Sequence, residues 1–155
     1  MMRPSPLDTV IDLAEQRRDA ARQDLARAQH DEQQALMQMH QLTSYTDESQ
    51  RRWSERAARG VPVNLLFTQQ TFMAKLTHAT GFQQGVLARL GQQVERYRLQ
   101  LIEAERTLVS LQQLRQRRAD AWQQRQTRQE QKFNDELAAT QHRQHAASHP
   151  WRQEP

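Results

Sequence analysis

Five prolines, Pro4, Pro6, Pro62, Pro150 and Pro155, divide this chain more sharply than any other feature. A proline inside a helix costs roughly 3 kcal/mol. The proline-free windows from Pro6 to Pro62 and from Pro62 to Pro150 therefore have room for two very long helices joined by one turn. Composition agrees: the chain has 26 Gln, 20 Arg and only four Gly, a mix that disfavours sheets and favours helix. Hydrophobic residues are 36% of the 155, too few for a thick core. The expected fold class is all-α, two long helices forming an antiparallel coiled-coil hairpin.

Local signals place the ends. Ser5-Pro6-Leu7-Asp8 puts a serine at the N-cap, proline at N1 and a carboxylate at N3. Arg59-Gly60-Val61-Pro62-Val63-Asn64 supplies a terminating glycine, a proline that stops the helix and a possible new N-cap at Asn64. The spacing predicts helix 1 over 6–58, a turn over 59–64 and helix 2 over 65–141, all in a single hairpin domain 1–141. The His-rich residues 142–155 read as a flexible tail.

Both helices carry a heptad seam. In helix 1 one series is Leu7, Ala14, Ala21, Ala28, Ala35, Leu42 and Ser49, and the other is Ile11, Arg18, Leu25, Glu32, Met39, Thr46 and Trp53. Helix 2 offers Phe72, Leu76, Ala79, Gln83, Val86, Leu90, Val94, Tyr97, Leu101, Ala104, Leu108 and Leu111, with a stutter around Leu90. If the turn centres near residue 61, position i faces roughly position 122 minus i, so Leu7 lies opposite Arg115. The aliphatic seam of helix 2 stops at that level, and a basic stretch around Trp122 follows. Helix 2 therefore overhangs at its C-terminal end. The paired part spans about 75 to 80 Å at 1.5 Å per residue.

Several chemistries find no footing. Gly81, Gly85 and Gly91 lie in a helical stretch with no Lys-Ser/Thr after them, so they form no phosphate-binding loop. His142, His145 and His149 have ligand-like spacing but no fold behind them. Without cysteine there is neither a disulfide scaffold nor thiol catalysis. A two-helix hairpin also has no cleft in which to desolvate an acid or base. The expectation is no enzyme, no catalytic residues, no cofactor and no metal. With no apolar run long enough to span a bilayer and no secretory signal, the chain is expected to be cytoplasmic.

Two surfaces invite partners. From Arg115 to Lys132 the cations Arg115, Arg117, Arg118, Arg125, Arg128 and Lys132 outnumber Asp120 and Glu130, and Trp122 is the large apolar residue among them. Such a segment suits an acidic docking surface. Near the turn, Tyr45, Phe67, Met73, Phe82 and Leu87 fall beside the seam, where a two-stranded coil needs no apolar side chain. A binding flank, closure of the hairpin end and dimerisation of the coil all fit these residues. No nucleic-acid module is present, and none is expected as a partner.

The residues resemble the flagellar export protein FliJ family. The resemblance runs through Leu7-Asp8-Thr9-Val10-Ile11-Asp12-Leu13-Ala14-Glu15, Gln41-Leu42-Thr43-Ser44-Tyr45, Gln70-Thr71-Phe72-Met73-Ala74-Lys75-Leu76 and Arg128-Gln129-Glu130-Gln131-Lys132-Phe133-Asn134-Asp135-Glu136. It implies a soluble part of the bacterial flagellar type III export apparatus. Members are antiparallel coiled coils similar to the stalk subunit of rotary ATP synthases. They insert into the hexameric export ATPase FliI, contact the export-gate membrane protein FlhA and handle export chaperones.

The resemblance assigns a gate-binding patch to Gln38, Leu42, Tyr45, Phe72, Leu76 and Ala79. Ser49 and Gln83 stand where the family often has an aromatic and a histidine. The stem formed by the chain's two ends adds Arg17, Arg18, Arg115, Arg117, Arg118 and Trp122 as candidate contacts to the ATPase ring. The implied location is the cytoplasmic face of the cell membrane, reached through the gate. One conflict stands: Leu42, Phe72, Leu76 and Ala79 are also seam positions, and a side chain wholly buried in the seam binds no partner. Either the seam rotates there, or only Gln38, Tyr45 and the flanking apolar groups are exposed. The rival readings are an equivalent stalk of a virulence secretion system, a homodimerising structural coil and a nucleic-acid-binding coil.

Overall fold

A computed structural model describes residues 5–148. Two α-helices, α1 (Pro6–Ala58) and α2 (Val63–Ala147), make up the fold and pack against each other as an antiparallel hairpin. Among the described residues there is no strand. The described residues divide into two compact units: one takes residues 5–11 together with 109–148, and the other is Asp12–Leu108.

α1 starts where the sequence signals it. The Asp8 amide donates to Ser5 Oγ at 3.2 Å, and the Ser5 amide donates to Asp8 Oδ2 at 3.1 Å, so the cap is reciprocal. The Ser5 hydroxyl donates to the same carboxylate oxygen at 3.0 Å. Replacing Ser5 with Ala is expected to destabilise the protein by about 1 kcal/mol, read as a lower urea midpoint. An unchanged midpoint would mean that the first turn frays without cost.

At the other end of α1, Gly60 adopts a φ of 90°, the left-handed conformation that glycine tolerates without strain. α2 then begins at Val63, within the turn expected over 59–64 and at the early edge of the start that the spacing allows. The Pro62 carbonyl accepts from the Leu65 and Leu66 amides at 3.1 and 3.3 Å, so Pro62 occupies the capping position. Asn64, expected as a cap, lies inside the helix, its Oδ1 accepting from the Leu65 amide at 3.1 Å. The far end also differs. α2 continues to Ala147 rather than ending at 141, because Gln141 to Ala147 contain no Gly, Pro or β-branched residue. Residues 142–147, read as flexible tail, are therefore helical; the remainder of that tail from residue 149 lies outside the described residues.

The seam matches the heptad reading position by position. Every one of the heptad residues on both helices is buried or half-buried. The two helices contribute differently: α1 buries Ile11 and the heptad-spaced alanines Ala14, Ala21, Ala28 and Ala35, whereas α2 buries Leu76, Val94 and Leu108. Small side chains on one helix admit larger ones from the other, which is how a two-layer core packs without voids. Polar pairs report the register. Within Asp12–Leu108, Arg22 reaches Glu105 at 3.8 Å and Gln83 Nε2 donates to the Ala35 carbonyl at 2.9 Å. In the other unit Asp8 meets Arg115 at 3.9 Å, as the turn arithmetic requires. From residue 113 onward every described residue of α2 is exposed, so the segment beyond Arg115 has no partner helix.

Candidate functional site

All six residues of the expected gate patch lie in the Asp12–Leu108 unit, on facing stretches of α1 and α2. Leu76 is only 8% exposed and belongs to the seam. Leu42, Phe72 and Ala79 are half-buried, while Gln38 and Tyr45 are exposed. The conflict between seam and surface thus resolves residue by residue. Leu76 packs the coil, Gln38 and Tyr45 face solvent, and the other three line the boundary.

Tyr45 and Phe72 meet edge to face, with ring centroids 6.3 Å apart and planes at 81°. This arrangement suits the aromatic quadrupole and fixes both rings against the coil. Tyr45 remains 54% exposed, with its ring against Phe72 on one side. Gln38 is held more loosely, its Oε1 accepting from Gln83 Nε2 at 3.4 Å. The same stretch of the coil thus combines an exposed aromatic pair, an exposed amide and a buried leucine. It has the make-up of a protein-docking surface, with a rigid amphipathic anchor and few rotamers to freeze.

Of the flanking apolar residues, Phe67 and Phe82 are exposed at 72% and 68%, whereas Met73 and Leu87 are half-buried. The structure adds two that the heptad reading passed over, Leu36 and Met37, exposed at 52% and 61%. Their signal was available, since both are apolar and fall between the seam positions Ala35 and Met39. On the same unit, Thr43, Thr46, Asp47, Thr77, Thr80, Gly81 and Gln84 line a shallow groove. The threonine hydroxyls donate to carbonyls of their own helices, as Thr46 does to Leu42 at 2.8 Å and Thr80 to Leu76 at 2.9 Å. They are therefore spent on the backbone. An added Cβ at Gly81 or Gly85 would meet nothing, so neither glycine serves a close approach within this chain.

The candidate ring contacts are distributed over both units. In Asp12–Leu108, Arg17 is exposed and Arg18 is half-buried in the seam, paired to Asp19 at 2.9 Å. In the other unit, Arg115 pairs with Asp8, Arg117 and Arg118 are exposed without an ion pair among the described residues, and Trp122 is 62% exposed. Phe133 and Leu137 continue the apolar exposure along α2, at 66% and 48%. Among the described residues no group of three His, Asp or Glu is placed to hold a metal ion, and no helix is long and apolar enough to cross a membrane.

Comparison with known families matches the chain to a family described as Flagellar FliJ protein, whose model aligns with residues 2–147. Neither the curated proteins nor the solved structures give a significant match.

Proposed function

The chain belongs to the flagellar FliJ protein family, and from that premise we propose that it is the stalk and chaperone-escort protein that links the hexameric export ATPase FliI to the export gate FlhA. Membership makes it a component of the flagellar protein export apparatus. The finer reading assigns the two tasks to different surfaces. The gate engages the Gln38, Tyr45 and Phe72 edge, and the ring engages Arg115, Arg117, Arg118 and Trp122, together with Arg17 and Arg18. Export chaperones dock on the same protein, which acts at the cytoplasmic face of the membrane.

The observation that carries this reading is the pre-positioned Tyr45–Phe72 edge on a coil whose seam is otherwise closed. A two-stranded coil is not sixfold symmetric, so inside a hexameric ring it touches each subunit differently. Unequal contacts bias the subunits' nucleotide states unequally, which is the coupling free energy an ATPase regulator needs.

Replacing Arg115, Arg117 and Arg118 together with Ala tests the ring half. Stimulation of the export ATPase is expected to fall several-fold, with weaker binding to the ring. The fold is expected to lose no more than about 1 kcal/mol, because the single ion pair removed is solvent-exposed. Full stimulation by the triple variant would remove these arginines from the ring interface.

A further inference from the structure

The turn end of the hairpin carries an apolar edge that neither the seam nor the Tyr45–Phe72 patch uses. Trp53, Ala57, Val61 and Leu65 are half-buried and close the coil. Beyond them Val63, Leu66 and Phe67 face outward, exposed at 81%, 41% and 72%. Three large apolar side chains within five residues of a helix start keep water-facing area that a hairpin of this kind has no need to expose. The last turns of α1, which lead into this turn, carry four exposed arginines, Arg51, Arg52, Arg56 and Arg59, against the exposed carboxylates Glu48 and Glu55. Arg52 pairs with Glu48 at 2.7 Å. The other three have no ion pair among the described residues.

We propose that this turn end docks on an anionic lipid surface, with Val63, Leu66 and Phe67 entering the headgroup and acyl boundary and Arg51, Arg56 and Arg59 holding lipid phosphates. The chemistry matches on both counts. A guanidinium offers a planar fork of donors to a phosphate, and its aliphatic stem follows apolar neighbours into the interface while the charge stays at headgroup depth. Cations near an anionic leaflet add attraction that salt screens. A protein partner would need a matching socket for a projecting edge, whereas a fluid interface opens around it. Gly60 and Pro62 hold the turn, so the edge is formed before contact and little ordering entropy is lost on docking. The docking site is separate from the ring and gate surfaces, and its failure would leave those readings standing.

The test is flotation of the full chain with phosphatidylcholine vesicles, with and without about one-third phosphatidylglycerol. The chain is expected to float with the anionic vesicles alone, and progressively less as salt rises. Val63→Ser with Phe67→Ser, and separately Arg51→Gln, Arg56→Gln and Arg59→Gln together, are each expected to lower partitioning by at least about fivefold. These side chains are exposed, so helicity and melting should not change. Because the chain has no cysteine, Thr68→Cys carries a single environment-sensitive fluorophore at the turn, and Thr127→Cys carries one on the overhang. A blue shift on vesicles at residue 68 and none at 127 supports the proposal. Three results overturn it: no flotation with either vesicle, which leaves the edge to a protein partner; flotation that the Val63 and Phe67 changes do not weaken; or a shift at residue 127 in place of 68.

Discussion

Leu76→Ala is expected to destabilise the protein by about 2–3 kcal/mol, lowering the thermal midpoint by about 4–12 °C. Among the described residues Leu76 is one of eight buried apolar side chains, and it is 8% exposed. In so thin a core each buried leucine is a large share of the total stability. The cavity cannot collapse easily, because the flanking layers are set by the same heptad. Leu76→Met, which conserves volume, is expected to cost less than about 1.5 kcal/mol. Circular dichroism melts of both variants check the pair. Equal midpoints for Leu76→Ala and the parent would mean that the residue is surface rather than seam. The consequence for function is specific: any loss of gate binding in Leu76→Ala should track the unfolded fraction and vanish at low temperature, where the coil is folded.

Tyr45→Ala is expected to behave in the opposite way. Its ring is 54% exposed and its main contact is the edge-to-face pair with Phe72. Removing it should cost the fold no more than about 1.5 kcal/mol. On the proposed gate reading the same change weakens binding to FlhA by about 10- to 30-fold, because a positioned aromatic is the kind of anchor that concentrates binding energy. Titration of the purified gate protein with parent and variant, at a temperature where both are fully folded, measures this. Equal affinities would move the gate contact away from the Tyr45–Phe72 edge, toward the exposed Leu36–Met37 pair or Phe82.

These two outcomes separate what the heptad reading joined. Leu76 and Tyr45 sit in one resemblance-derived patch, and sequence spacing cannot tell which of them is accessible. Spacing gives the direction in which a side chain leaves its helix. It does not give how much of that side chain the other helix covers, which depends on interaxial distance and on the neighbours' size. Here Phe72 lies at a seam position yet reaches far enough to meet Tyr45 outside it. Gln83, also at a seam position, turns its amide to the Ala35 carbonyl. The helix ends show the same division. Ser5 and Gly60 were legible because each answers a local backbone need, an orphan amide and a left-handed φ. At the start of α2 the cap differs from the sequence reading, because Pro62 takes the capping position and leaves Asn64 without that role.

By itself the sequence determined that the chain is two helices with one turn. Proline-free length, a heptad of apolar residues and a capped start are local or periodic properties, and no tertiary contact is needed to read them. It also carried the family likeness, which the match over residues 2–147 bears out. Only the tertiary structure decided which apolar residues are spent inside the coil and which remain exposed. Leu76 went to the seam; Tyr45, Phe67 and Phe82 stayed outside. The reason is physical: burial belongs to a pair of surfaces, and a single strand of sequence holds only one side of each pair.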